Sequence, residues 1–344
     1  MKKLAKKLSV VVMVLLWVLI GQIAKAADST EDHRKVQVQQ LDLHDETRQR
    51  PVKITIWYPA QAECDKATIC LSEHTRLDQA AVISHGAMGS AMDYNWLGYA
   101  MASQGIVTVG INHFGESWIY GKKHIDPSAV LRFEQRPADV SFVLTQLALN
   151  YTAANNKTAL FSATIDWNNI TAIGHSSGGA TAIALAGSQL AISKAKAYCA
   201  SEVSSSDKSC AYMQQQSPDI NANAEIGFSF RDARIKRVIA LDPALGHATT
   251  EKSLDHINIP VLVIGSRQND FLNFDHHAGF YGEHIPQAKS LVLDKGEGHF
   301  IYLDSCDRPY KAMGVPLCTD RQGVNRELVQ KNLYPHIFRF IFSS

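Results

Sequence analysis

The chain is predicted to be an α/β protein, a mostly parallel central sheet with helices on both faces. Three observations predict it. Short apolar runs rich in β-branched residues recur at Ala80 to Ser84, Ile106 to Ile111, Arg237 to Leu241, Val261 to Gly265 and Ser290 to Leu293. Such runs suit strands buried on both faces. Helical stretches separate several of them, at Tyr94 to Ser103, Pro137 to Leu149 and Ala180 to Leu190, and strand–helix alternation implies parallel pairing. Finally, the run Ile170-Thr171-Ala172-Ile173-Gly174-His175-Ser176-Ser177-Gly178-Gly179 carries a strand straight into a helix through Gly-His-Ser-Ser-Gly. That is the context in which a G-x-S-x-G pattern signals a nucleophile elbow.

The elements follow in order. Lys2, Lys3, Lys6 and Lys7 precede an apolar run from Leu8 to Ile20, broken only by Ser9, and Ala24-Lys25-Ala26 is a small-x-small cleavage site. Residues 1–26 therefore read as a secretory signal peptide. The alternative is an uncleaved anchor, for which the run is short. The expectation is a periplasmic or secreted protein with no stable membrane anchor after cleavage, residues 27–344 forming one domain. Val36 to Leu43 and Val52 to Tyr58 alternate in polarity around a polar turn and read as an antiparallel pair ended by Pro59. Gln61 to Leu77 is a polar loop, and Gly105 stops the helix that begins at Tyr94. Pro137 suits the first turn of its helix. Residues 196–234, polar and rich in Ser, Gln and Asn, are too long for an ordinary connection and read as a lid or cap inserted over the site. A C-terminal helix is expected near Asn325 to Phe342.

Thirty-four Lys and Arg against 33 Asp and Glu leave a net charge of +1, and no basic stripe interleaves with aromatics, so nucleic acid is not an expected partner. Six cysteines fall into local pairs, Cys64 with Cys70, Cys199 with Cys210 and Cys306 with Cys318. In an oxidising compartment these read as three short-loop disulfides, although six cysteines allow fifteen pairings. No C-x-x-C or His-rich spacing accompanies them, so no metal is expected.

The elbow dictates what else the chemistry needs. A strained turn lifts the Ser176 hydroxyl above the sheet edge, and Gly174 and Gly178 flank it because a Cβ there would strike neighbouring backbone. A serine is a weak nucleophile without a base and a group that orients the base. His299, in Gly296-Glu297-Gly298-His299-Phe300, follows the last strand and fits the base. Two acids end earlier strands, Asp242 after Leu241 and Asp270 a few residues beyond Gly265, and both stay open. The backbone N–H groups of Ser177 and Ala87 are the candidate oxyanion donors, Ala87 lying in the His85-Gly86-Ala87 turn after Ala80 to Ser84. His85 reads as support for that turn, and Arg136 with Asp139 as a structural pair opening a helix.

Over nearly all of residues 27–344 the chain resembles the α/β-hydrolase superfamily, and within it the dienelactone-hydrolase-like group related to platelet-activating-factor acetylhydrolases. Ser84-His85-Gly86, Arg136-Pro137-Ala138-Asp139, Gly174 to Gly179, Asp242-Pro243-Ala244-Leu245-Gly246 and Gly298-His299-Phe300 carry the resemblance. It implies a serine carboxylic-ester hydrolase without cofactor, acting on a small-molecule ester through an acyl-enzyme, with Ser176, His299, Ala87 and Ser177 in the roles above. In the acetylhydrolases and in chlorophyllases the acid matches Asp242; many bacterial relatives place it near Asp270. True dienelactone hydrolases carry a cysteine where this chain has Ser176. Two rivals remain: a lipase or acyltransferase on a lipid substrate, and a catalytically inactive hydrolase-fold binding protein. The polar 196–234 segment favours short or water-soluble esters.

Overall fold

Apolar runs become strands here because successive side chains leave opposite faces of one sheet and both faces are covered. The computed structural model describes residues 35–61, 63–64, 67–149, 159–214, 229–306 and 310–343. The strands are β1 (Val36–Asp45), β2 (Arg50–Pro59), β3 (Ala67–Ile69), β4 (Ala80–Ser84), β5 (Thr108–Asn112), β6 (Ala159–Phe161), β7 (Ile170–His175), β8 (Ile235–Leu241), β9 (Val261–Ser266), β10 (Ala288–Leu293), β11 (Lys311–Ala312) and β12 (Val315–Pro316). Eight form the main sheet in the order β1-β2-β5-β4-β7-β8-β9-β10. β2 runs antiparallel to both neighbours; every other adjacent pair is parallel.

Side chains alternate between two cores. Val82, Ala172, Val238 and Val263 join the core on one face, with Val140, Ile183 and Tyr281 from the helices Gln135–Ala148, Ser177–Ala186 and Ala278–His284. Ile83, Ile173, Ile239 and Ile264 join the other, with Leu97 and Met101 from the helix Asn95–Ser103 and Leu333 and Ile337 from Arg326–Ser343. Each Val, Leu, Ile or Met side chain among them, fully buried, contributes about 1.5–3 kcal/mol. The chain leaves β4 toward β5 on one side and returns to β7 on the other. The loops after β4 and β7 therefore part above the sheet, and a crevice opens at such a switch point.

Some boundaries differ from expectation. The helix after the elbow spans Ser177–Ala186, starting at once after Ser176 and stopping where Gly187 adopts φ 125°. Leu190 lies beyond it, bridged to Thr249. The small β3–β6 and β11–β12 pairs, the 3-10 turns between Trp118 and Leu131 and the helix Ala278–His284 carry no strong periodic signal, being short. The expected signal peptide lies outside the described residues, as do residues 215–228 of the 196–234 segment. No helix among the described residues is long and apolar enough to cross a membrane.

The cysteines pair locally: Cys64–Cys70, Cys199–Cys210 and Cys306–Cys318, with none free. All three pin excursions from the sheet, one beside β3, one in the 196–234 segment and one around β11–β12. Closing loops this short stabilises by up to about 3 kcal/mol each in chain-entropy terms.

Candidate active site

Ser176 ends β7 in a conformation few side chains adopt, φ 56° and ψ −121°. Such strain costs about 1–3 kcal/mol and persists only where surroundings impose it. Here they do: its N–H donates to the Leu241 carbonyl (3.0 Å), and its carbonyl accepts from the Ala244 N–H (2.9 Å), so the end of β8 clamps the turn. Added Cβ atoms show how tight it is. At Gly174 one would strike the Gly178 backbone, and at Gly178 the carbonyls of Ser84 and His85. Gly178→Ala is expected to destabilise by about 3 kcal/mol, the upper end for overpacking, because the colliding groups are backbone. Thermal melts check this; an unchanged Tm would refute the packing argument.

His299 opens the 3-10 turn His299–Tyr302 after β10 and is buried, its ring stacked on Phe271 with centroids 5.3 Å apart. The two candidate acids approach different parts of it. Asp242 Oδ2 lies 3.7 Å from the imidazole Nδ1. Its other oxygen accepts the Ser266 N–H (2.7 Å), while Oδ2, like His299 Nε2, is buried without a hydrogen-bond partner among the described residues. Asp270 turns to the backbone instead: its Oδ1 accepts the His299 N–H (2.9 Å) and its Oδ2 lies 3.5 Å from the Arg321 guanidinium. Only Asp242 faces the ring. Burial pushes the Asp242 carboxyl up to about 7, against the Ser266 N–H, and pulls the His299 imidazole down to about 3, against the charge of Asp270.

Asn269 is a neighbour that sequence reasoning passed over. Its Oδ1 accepts the N–H groups of Phe271 (2.9 Å) and Leu272 (2.7 Å), which turns its NH₂ toward His299 Nδ1 at 3.2 Å. An amide NH₂ only donates, so Nδ1 accepts and the ring proton sits on Nε2 in this state.

His175 joins the three loops that meet here. Its Nε2 lies 3.0 Å from the His299 carbonyl, which can only accept, so Nε2 carries the proton. Nδ1 then accepts from the Tyr94 hydroxyl (2.8 Å), whose oxygen accepts the Gly86 N–H (3.0 Å). Burial lowers the His175 pKa to about 3 and keeps this tautomer neutral. His85 supports its own turn: Nε2 accepts the His113 N–H (3.0 Å) and Nδ1 faces the Gly86 carbonyl (2.6 Å).

Arg136 and Asp139 do not pair with each other, contrary to the sequence reading. The Arg136 guanidinium makes two bonds to Glu116 (2.8 and 2.7 Å) and donates to the His85 carbonyl (2.7 Å). Asp139 accepts from Arg50 (2.8 and 3.0 Å) and faces His113 Nδ1 (3.0 Å). These ion pairs are buried behind the turn after β4 and hold it in place.

Ala87, Ser176, Ser177 and His299 line one cavity of about 1090 Å³. Three segments outside the sheet wall it. Val130, Leu131 and Phe133 come from the 3-10 region before the helix Gln135–Ala148, Tyr212 and Met213 from the 196–234 segment, and Tyr310 and Leu317 from the loop closed by Cys306–Cys318. The sequence marked the second as a lid and the third only by its cysteine pair; the first, which includes the 3-10 helix Pro127–Leu131, carries no periodic signal.

A ferulic acid esterase from Streptomyces cinnamoneus has a similar structure: TM-score 0.55, covering 90% of each chain at 18% identity. The chain has an α/β-hydrolase fold. A puromycin-hydrolyzing peptidase from Mycobacterium tuberculosis overlaps more loosely, with a TM-score of 0.46 over 77% of this chain and 36% of its own at 13% identity, too loosely to bear on function. No protein-family model matches the chain, and no curated protein is detectably similar in sequence. These likenesses do not single out the acetylhydrolase-like group within the α/β-hydrolase fold.

Proposed function

We propose that this α/β-hydrolase is an exported serine carboxylic-ester hydrolase. The observation that carries the reading is one cavity holding a serine in a strained turn and a buried histidine, whose ring faces a buried carboxylate oxygen that has no hydrogen-bond partner among the described residues. The Ser176 hydroxyl attacks the ester carbonyl while His299 Nε2 takes its proton, and the Ala87 and Ser177 N–H groups stabilise the oxyanion. That role requires the ring proton on Nδ1, so before attack solvent takes the Nε2 proton and returns one to Nδ1, and the ring exchanges its contact with Asn269 for one with Asp242. Long catalytic hydrogen bonds in a free enzyme commonly tighten in this way. His299 then protonates the leaving alcohol, and water cleaves the acyl-enzyme by the same path.

Met88, Leu131, Phe133, Phe271, Phe300 and Leu317 make the cavity mainly apolar. This favours a bulky aryl or long acyl ester over the short soluble esters that the polar segment suggested. Three disulfides and the leader-like residues 1–26 support export. The test is hydrolysis of p-nitrophenyl esters from acetate to palmitate, with mass mapping of the residue labelled by a fluorophosphonate. Activity with label on Ser176 and a medium or long optimum is expected; an optimum at palmitate with interfacial activation would favour the lipase. No turnover and no label would leave the binding-protein reading.

Tyr94→Phe separates positioning from chemistry. It removes a hydroxyl that satisfies both the Gly86 N–H and His175 Nδ1. An unpaired buried group costs about 1–3 kcal/mol. kcat is expected to fall roughly 5- to 150-fold with little change in KM, and unchanged kcat would remove Tyr94 from the network.

A further inference from the structure

Away from Ser176, a second cluster of ligating side chains forms where the 196–234 segment crosses the ends of β8 and β9. Asp207 lies in that segment, inside the loop closed by Cys199–Cys210. His247 sits in the 3-10 turn Gly246–Ala248 after β8, and His277 is the N-cap of the helix Ala278–His284 after β9. Asp207 Oδ2 is 2.7 Å from His277 Nε2, which is 3.2 Å from His247 Nδ1, and all three atoms lie within 4.8 Å of one another. Asp207 and His277 are buried; His247 is half-buried and borders the cavity.

A hydrogen bond from His277 Nε2–H to Asp207 Oδ2 accounts for the 2.7 Å contact but not for the close approach of His247. His277 Nε2 carries at most one proton. If that proton points to Asp207, His247 Nδ1 has nothing to donate to there and accepts at most a share of it at 3.2 Å. If His247 donates to Nε2 instead, the Nε2 lone pair is already used and the 2.7 Å contact to the carboxylate sets lone pair against lone pair. His277 Nδ1 is buried without a hydrogen-bond partner among the described residues. One cation among the three atoms would accept all three lone pairs at once.

The surroundings are those of a ligand set. Asp207 Oδ1 accepts the Ser209 N–H (2.9 Å) and hydroxyl (2.6 Å), and Oδ2 accepts the Tyr198 hydroxyl (3.0 Å). The Tyr198 ring stacks on His247 at 4.2 Å, fixing the imidazole plane. Metal-binding carboxylates and imidazoles are commonly oriented by such outer contacts.

We propose that Asp207, His247 and His277 bind one divalent ion of the zinc class. Two imidazoles and a carboxylate suit zinc, and bonds of about 2.0 Å place tetrahedral ligands roughly 3.3 Å apart; the two imidazole nitrogens are 3.2 Å apart already, and the 2.7 Å His277–Asp207 contact opens by about 0.6 Å to admit the ion. Water completes the coordination on the cavity side, next to His247. The ion cross-links the 196–234 segment to the loops after β8 and β9, so it fixes a wall of the cavity without entering the Ser176 chemistry.

The experiment uses untagged protein, loaded with zinc and dialysed against metal-free buffer. Elemental analysis is expected to find about one zinc per chain, with Tm falling by about 5 °C or more on chelation. Cobalt is expected to give the visible d–d bands of a tetrahedral site. His247→Gln and Asp207→Asn are expected to lose both signals. A wild type that retains no zinc and melts alike with zinc or chelator would overturn the proposal, whatever the variants do. Zinc retained equally by His247→Gln would overturn it too. Zinc bound by a protein with no esterase activity would count against the hydrolase reading alone.

Discussion

Ser176→Ala is expected to lower kcat on the best p-nitrophenyl ester by about 10⁴- to 10⁶-fold while leaving KM nearly unchanged. The reason is structural. The Ser176 hydroxyl at the elbow lines the cavity that His299 shares, and the proposed acyl-enzyme forms on it. The residual rate would come from binding and the oxyanion donors. Removing the hydroxyl leaves φ 56° at this position, so the strain remains and the variant should melt close to wild type. Steady-state kinetics with a burst-phase experiment decides the matter. A variant retaining a tenth of the activity would mean that hydrolysis does not pass through Ser176.

The second large effect separates the two carboxylates. Asp242→Asn is expected to lower kcat by about 10⁴-fold, because an amide cannot stabilise the imidazolium and favours the wrong tautomer. Asp270→Asn keeps a carbonyl that can accept the His299 N–H, so a loss of no more than about tenfold is expected. The pH profile carries the same distinction. Burial raises the Asp242 pKa to about 7, so the carboxylate that the base needs is lost as pH falls through that value. kcat/KM should therefore drop on the acid side of about 7 in wild type and in Asp270→Asn. If Asp270→Asn proves the more damaging, or if Asp242→Asn keeps the acid limb, the acid role does not belong to Asp242.

Much of this was legible in the chain because the signals are local. The elbow announces itself through glycines whose missing Cβ atoms let β7, β4 and the following helix touch, and the strands through apolar runs that must be buried on both faces. The local cysteine pairs were legible for the same reason. The choice between Asp242 and Asp270 was not. Both follow strands, and only the crossing of β8 and β9 loops aims one at the ring and the other at the backbone. The Arg136–Asp139 motif misled because residues three apart on a helix can each find a stronger buried partner from elsewhere, here Glu116 and Arg50. Asn269, His175 with Tyr94, and the Asp207–His247–His277 cluster join residues up to 81 positions apart, without any spacing to betray them.

The amino-acid sequence by itself determined the sheet, the strained serine turn and the histidine after the last strand. Each depends on chain geometry within a few residues: pleat alternation, the absence of a Cβ, a glycine-rich turn. Tertiary structure alone decided which acid lies nearer the imidazole ring, which group contacts its Nδ1 and how apolar the cavity is. Those depend on burial and on hydrogen-bond partners supplied from distant segments, and a group's protonation and reach are properties of its surroundings.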